Sequence, residues 1–336
     1  MSNELIGRVT AGEDLSMAEM ANAVDHIMQG EWADEQIALL LTALYHKGES
    51  VEEIAGAAEA MRKHMTKIQS HHSELLDTCG TGGDGSRTFN VSTAAALVTA
   101  AAGVPVAKHG NRSITSKTGS ADVLAKLGVN IEATVTQAEA CLDQIGICFC
   151  FAPLLHQSMK NVANVRRSLE FRTIFNLLGP LCNPADAGYQ LLGVAQPELR
   201  PVMAAALNHL GTQRAVVVCG DDGLDEVTLR GSTSCSEVTP STCRDFRWTP
   251  NEFGFTTTDD FRTLEVDGPS ASAAKIRSVL AGDPGPAADI VALNAAAAIW
   301  TVKQIDPLEC GRLAKQAIES GAANDVLQKL ATASHA

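Results

Sequence analysis

LLDTCGTGGDGSRTFNVSTAAALVTAA, residues 75–101, reads as a β-strand, a glycine-rich loop and a helix in succession. Leu75–Thr78 is a short apolar run closed off by glycine, the signal of a buried strand. Gly80, Gly82, Gly83 and Gly85 follow, four glycines within six residues. Glycine lets the backbone come close to a ligand and aims successive N–H groups at one point, where an anion can sit. The helix opens near Asn90-Val91-Ser92-Thr93, so its positive end faces the same space. The pattern is neither GxGxxG nor a Walker A loop, which disfavours dinucleotide and nucleoside triphosphate binding. Two readings stay open here: a phosphate cradle, or a tight turn with Ser92 or Thr93 capping the helix.

Downstream of this unit the texture repeats. Short apolar runs at Glu74–Thr78, Val104–Lys108, Ile147–Phe151, Gln190–Val194 and Ala215–Cys219 alternate with Ala-rich helical stretches. That alternation predicts an α/β fold with a mainly parallel central sheet flanked by helices. Residues 231–270 hold short β-like runs and turns, Asn294–Val302 reads as a buried helix, and the last residues, ATASHA, as a frayed end. Upstream, the first 66 residues read as helices only. Ser16 with Glu19 and Ser50 with Glu53 are capping boxes, Gly30 and Gly48 are stops, and Met20, Val24, Ile27 and Met28 recur on one face. The division expected is a small N-terminal helical domain over 1–70, with part of 160–185 packed on it, and an α/β domain over 71–336.

Composition narrows the function. Of the 336 residues, 45% are hydrophobic and 19% charged, as in a globular protein with a sizeable core. Aromatics are only 4%, so that core is mainly aliphatic and Ala-rich. The net charge of -13 and the lack of a long Lys/Arg run argue against nucleic acid as partner. Nine scattered cysteines without a CxxC pair point to reduced thiols rather than a disulfide framework or structural zinc. The N-terminus has no apolar signal core and no stretch suits a membrane span, so a cytoplasmic location is expected.

Three further motifs carry chemistry. Lys108–Asp122, KHGNRSITSKTGSAD, combines three fixed cations with several hydroxyls after a buried strand. It reads as a second anion-binding loop or as a solvated basic loop. Asp221-Asp222-Gly223-Leu224-Asp225-Glu226 follows another strand, where carboxylates suit a hard cation such as magnesium. Neighbours in a regular strand face opposite ways, so Asp225 and Glu226 hold two ions, or one in an irregular turn; an exposed acidic turn is the plain alternative. His156–Pro184 carries Arg166, Arg167 and Arg172, for binding a carboxylate or for surface salt bridges on a helix. Two anion loops, an acidic metal site and a spare arginine together suit a polyphosphate substrate and a second substrate bearing a carboxylate.

GTGGDGSRTFNVST, KHGNRSITSKTGSADVL, RTIFNLLGPLCNP and GLDEV, with the N-terminal IMQGEWADEQIALLLTALYHKGESVEEIAGAAEAMR, resemble the anthranilate phosphoribosyltransferase family of tryptophan biosynthesis. The likeness runs from about residue 17 to 300. It implies a homodimer joined through the helical domains, the fold of the nucleoside phosphorylases, and a site in the cleft between domains. Carried over by position, Gly80, Gly83, Asp84, Thr88, Asn90, Val91, Ser92, Thr93, Lys108 and Ser120 would hold phosphoribosyl pyrophosphate. Ser92, Asp225 and Glu226 would bind Mg2+. Gly80, Asn111, His156, Arg166 and Pro180 would line the anthranilate path, with Arg166 on the carboxylate. The implied reaction joins the anthranilate amine to C1 of the ribose and expels pyrophosphate; no residue stands out as a general base. Gln157, Asn161, Asn164 and Glu170 depart from the family's usual residues and bear on aromatic-substrate specificity. The rival functions are a pyrimidine nucleoside phosphorylase-like enzyme of the same fold and a non-catalytic nucleic-acid-binding relative.

Overall fold

The computed structural model describes residues 2–112 and 118–336. Four helices come first: α1 (Ser2–Thr10), α2 (Met17–Gln29), α3 (Asp34–Lys47) and α4 (Val51–His64). Both capping boxes form, with the Ser16 and Ser50 hydroxyls accepting the N–H of Glu19 and Glu53, and Gly30 ends α2 at φ 78°. Glu53 does more than cap. Its fully buried carboxylate accepts the Leu15 N–H at 3.0 Å and pairs with Lys47 at 2.9 Å, tying the starts of α2 and α4 to the end of α3.

Seven strands then form one sheet in the order β3-β2-β1-β4-β5-β6-β7: β1 (Leu76–Gly80), β2 (Val106–Gly110), β3 (Ile147–Phe151), β4 (Tyr189–Gly193), β5 (Arg214–Gly220), β6 (Thr233–Val238) and β7 (Cys243–Trp248). The first five run parallel, and β6 and β7 add an antiparallel edge. The interleaved and following helices are α5 (Val91–Ala101), α6 (Ser120–Leu127), α7 (Val135–Ile145), α8 (Ala152–Leu155), α9 (Lys160–Ser168), α10 (Phe175–Leu178), α11 (Leu199–His209), α12 (Pro269–Leu280), α13 (Pro286–Lys303), α14 (Pro307–Glu319) and α15 (Ala322–Ala333).

Alternate residues of a strand face opposite sides of the sheet, and β5 shows it. Val216 and Val218 join one apolar cluster, with α5 and the Ala-rich α13. Ala215, Val217 and Cys219 join a second, shared with Met20, Val24, Ile27, Leu40, Leu44 and Ile54 of the first helices. Val162, Val165, Ile174 and Phe175 lie in that second cluster too. The helical segment and one face of the sheet thus share a core.

One expectation fails. The C-terminal ATASHA is not frayed: α15 runs to Ala333, Ser334 is buried, and Asn130 donates to the Ser334 hydroxyl at 2.9 Å and carbonyl at 3.0 Å. Gln137 donates to the Ala336 carbonyl as well. The tail is polar but its partners satisfy it.

Candidate functional site

Strand order reverses between β1 and its neighbours β2 and β4. Loops leaving the carboxyl ends of strands at such a point diverge and open a crevice, the usual ligand position in α/β sheets. The glycine-rich loop leaves β1 there. Gly82, Gly83 and Gly85 all have positive φ, at 67°, 82° and 71°. The loop is held from three sides. Asp225 accepts the Gly82 N–H at 2.9 Å, Leu264 accepts the Phe89 N–H at 2.9 Å, and the Asn90 N–H donates to the Ser272 hydroxyl at 3.0 Å. Asn90 also caps α5, its side chain accepting the Thr93 N–H at 3.1 Å. Val91 joins the apolar cluster around α5 and α13, and Thr93 is buried with its hydroxyl unpartnered among the described residues.

Lys108 closes the base of the site. It is 3% exposed, and its ammonium donates to the Thr78 carbonyl at 2.5 Å and the Ser92 hydroxyl at 3.3 Å. Burial lowers its pKa, while Asp77 and Glu226 oppose that shift. Asp77 is buried beneath it and accepts the His109 N–H at 3.1 Å.

The four acidic residues after β5 divide by role. Asp221 pairs with Arg247 and Asp222 accepts from the Thr228 hydroxyl at 2.8 Å, so these two shape the turn. Asp225 and Glu226 turn inward in irregular backbone. Burial, then the neighbouring Asp84, pushes Asp225 up to about 7. Burial and Asp225 push Glu226 well above the usual carboxylate range. Carboxylates crowded this way gain from a shared cation. Among the described residues no three His, Cys, Asp or Glu side chains form a complete cage. The two crowded carboxylates, Asp225 and Glu226, are a donor set that Mg2+ accepts, since that ion takes one or two carboxylates and completes its shell with water and phosphate oxygens. Two glycines make room for this arrangement: Gly80, singled out in the sequence, and Gly193, which was not. A β-carbon on Gly80 would overlap the Asp225 carboxylate, and one on Gly193 would overlap the Asp225 backbone carbonyl. Asn294 of α13, also missed, grips the same turn: it accepts the Val227 N–H at 2.8 Å and donates to the Val227 carbonyl at 2.9 Å.

A second group gathers around β2 and α8. His109 and His156 are buried with ring centroids 5.1 Å apart. His109 donates through Nδ1 to the Gly179 carbonyl at 2.9 Å. The Nε2 atoms of both rings are buried without a partner. Burial first, with charge or ring neighbours adding, depresses His109 to about 4 and His156 to about 3. Both are neutral near pH 7. Pro180, next to Gly179, is buried and its carbonyl accepts from Gln190 at 2.6 Å.

Arg166 and Arg167 part ways. Arg167 is exposed and donates to Asn164 at 2.5 Å, a surface contact. Arg166 is half-buried, lies 5.7 Å from the Phe175 ring, and makes no hydrogen bond or ion pair among the described residues. Thr88 bonds Ser86 within its loop at 3.0 Å. Asn111 is exposed, and its carbonyl accepts from the Ser120 hydroxyl at 3.4 Å and the Ala121 N–H at 3.2 Å. Residues 113–117 of the Lys108–Asp122 motif, including the cation Lys117, lie outside the described residues. Three of the departures have structural partners: Asn161 donates to the Met28 carbonyl at the end of α2 at 2.8 Å, Asn164 accepts from Arg167, and Gln157 donates to the Leu154 carbonyl at 3.5 Å.

Comparison with known proteins fits this picture. Residues 3–65 match the helical bundle domain of the glycosyl transferase family, and residues 72–324 its a/b domain. The chain is 50% identical over 330 residues to the anthranilate phosphoribosyltransferase of Rhodopirellula baltica, covering 98% of this chain and 96% of that one. It resembles the crystal structure of the Thermus thermophilus enzyme of that name at 40% identity and a TM-score of 0.92, with 99% of each chain covered. It also resembles the Saccharomyces cerevisiae enzyme in complex with PRPP and Mg, at 27% identity and a TM-score of 0.90, over 99% of this chain and 98% of that one. On sequence and fold alike, the chain belongs to the anthranilate phosphoribosyltransferase family.

Proposed function

We infer that the protein transfers the phosphoribosyl group of phosphoribosyl pyrophosphate to the amine of anthranilate, giving N-(5-phosphoribosyl)anthranilate and pyrophosphate in tryptophan biosynthesis. The observation that carries this is the convergence of the Gly80–Asp84 loop, Ser92, Lys108, Asp225 and Glu226 at the carboxyl ends of β1, β2 and β5. Gly80, Gly83, Asp84, Thr88, Asn90, Val91, Ser92, Thr93, Lys108 and Ser120 bind phosphoribosyl pyrophosphate. Val91 and Thr93 do so through backbone, since their side chains are in the core. Ser92, Asp225 and Glu226 would hold Mg2+, which when bound supplies charge neutralisation for the leaving pyrophosphate. Lys108 adds a fixed positive charge at the same place.

Gly80, Asn111, His156, Arg166 and Pro180 take anthranilate. Arg166 meets the carboxylate, an anion for a guanidinium that otherwise has none. His109 joins this set: its neutral imidazole and that of His156 offer bare Nε2 acceptors to the amine N–H groups. An aryl amine is a usable neutral nucleophile, so positioning beside C1 does most of the work. Residues 1–70, with part of 160–185, make the helical domain and 71–336 the α/β domain. The helical domains join two chains in a homodimer, and the protein works in the cytoplasm without a nucleic-acid partner. No helix among the described residues is long and apolar enough to cross a membrane.

Product analysis tests this reading. Incubation with anthranilate, phosphoribosyl pyrophosphate and Mg2+ yields phosphoribosylanthranilate and stoichiometric pyrophosphate. Turnover of thymidine with phosphate, and none of the anthranilate pair, would assign the chain to the phosphorylases instead.

A further inference from the structure

Arg172 has no role in the site described so far, and the sequence alone leaves it as a carboxylate ligand or a surface salt bridge. The structure puts it elsewhere. Its guanidinium lies directly on Gly83 of the glycine-rich loop: a β-carbon built on Gly83 would overlap Nη2 and sit 2.8 Å from Cζ and 3.0 Å from Nη1. Gly83 therefore keeps its surface bare partly because an arginine covers it. Arg172 is exposed and makes no hydrogen bond or ion pair among the described residues. Other arginines on the same domain find partners: Arg200 pairs with Asp245, Arg244 with Glu237 and Arg247 with Asp221.

The chain on either side of Arg172 is fixed. Phe171 stacks on Tyr45 of α3, with centroids 4.3 Å apart. Thr173 is buried and donates its N–H to the Asn176 side chain at 3.1 Å, and Ile174 and Phe175 are in the core. A guanidinium on an anchored root, lying against the glycine-rich loop, is a pre-positioned anion ligand rather than a wandering surface charge.

We propose that Arg172 is a phosphate-binding residue of the glycine-rich loop and takes the diphosphate end of phosphoribosyl pyrophosphate. The inference rests on the proposed function. It favours the diphosphate over the 5-phosphate because the Gly82 N–H is bonded to Asp225. The loop under Arg172 is thus tied to the carboxylates that need a cation shared with the diphosphate. Because Phe171 is stacked on α3, diphosphate binding at Arg172 also links the helical segment to the phosphate loop.

The test compares Arg172→Ala and Arg172→Lys with the parent and with Arg167→Ala. Inorganic pyrophosphate and ribose 5-phosphate serve as competing ligands. Arg172→Ala raises KM for phosphoribosyl pyrophosphate and Ki for inorganic pyrophosphate by about tenfold or more, the scale of a lost charge-assisted contact. KM for anthranilate, inhibition by ribose 5-phosphate and the unfolding temperature stay near the parent values. Arg172→Lys recovers part of the loss, and Arg167→Ala changes little. Unchanged pyrophosphate inhibition in folded Arg172→Ala overturns the proposal, and a shift confined to ribose 5-phosphate overturns the diphosphate assignment. A parent protein that fails to use anthranilate and phosphoribosyl pyrophosphate would instead overturn the function, so the two failures are distinct.

Discussion

Arg166→Ala separates substrate binding from stability in one experiment. Arg166 is half-buried, burial alone lowers its pKa, and it has no polar partner among the described residues. A guanidinium taken partly out of water without an anion contributes little to folding. Its one aromatic contact, with Phe175 at 5.7 Å, is worth about 0.5–1 kcal/mol. Replacement by alanine is therefore expected to change stability by less than about 1 kcal/mol, read by urea unfolding. Binding is different. Loss of a charge-assisted contact to the anthranilate carboxylate costs on the order of 1.5–3 kcal/mol. That is roughly a tenfold to hundredfold drop in kcat/KM for anthranilate. Steady-state kinetics with each substrate varied in turn read it out. KM for anthranilate rises much more than KM for phosphoribosyl pyrophosphate, Arg166→Lys recovers part, and Arg167→Ala, whose contacts are on the surface, stays near parent. Selective loss of phosphoribosyl pyrophosphate affinity with anthranilate affinity intact would refute the assignment, as would a stability loss of several kcal/mol, which would mean an unseen structural partner.

Three other outcomes follow from the geometry. Gly193→Ala forces a β-carbon into the Asp225 backbone carbonyl, which cannot give as a flexible side chain can. Activity should fall by about 100-fold or more as the acidic turn is pushed off β4, roughly the cost of a 1 Å misplacement; parental kinetics would show that the turn's position is not critical. Asn294→Ala leaves the Val227 N–H and carbonyl without partners, costing about 2 kcal/mol or more and raising the Mg2+ concentration for half-maximal activity; an unchanged Mg2+ dependence would dismiss Asn294 as a positioning residue. The buried histidines set a pH dependence of stability. Both have folded pKa values, about 4 for His109 and about 3 for His156, below the unfolded value near 6.5. The unfolded chain then binds more protons below about pH 6.5, so their contribution is full above it and is lost as pH falls toward 4 and 3. Urea unfolding should show a slope between pH 6.5 and 4 that His156→Gln flattens, and an unaltered slope would contradict the burial account.

Local chemistry was legible and distant contact was not. The capping boxes at Ser16 and Ser50 and the strands at Ile147–Phe151 and Arg214–Gly220 follow from patterns inside a few residues. Strand ends were less legible: β1 runs on to Gly80 because its ladder pairs Gly80 with Gly193, a partner set by tertiary structure. The C-terminal tail looked frayed because its anchor, Asn130, is remote in sequence. The glycine-rich loop announced itself through four glycines, and the acidic run through its charge. Asp225 and Glu226 stood out within that run, but the partners that engage the other two, Arg247 for Asp221 and Thr228 for Asp222, did not show. Gly193 and Asn294 left no local signal, and the contact of Arg172 with Gly83 left none. Each acts through a neighbour far along the chain: Asp225 for Gly193, Val227 for Asn294 and Gly83 for Arg172. The approach of His109 to His156, 5.1 Å between ring centroids, also joins residues far apart in the chain and left no sign in the sequence.

The central claim is the transfer itself, and anthranilate fluorescence reads it most directly. With purified protein, anthranilate fluorescence should decay steadily once both phosphoribosyl pyrophosphate and Mg2+ are present. It should hold constant when either is omitted or the metal is chelated. Folded protein that leaves the fluorescence unchanged with all components present would contradict the proposed activity, and full activity after exhaustive chelation would contradict the place of Asp225 and Glu226 in it.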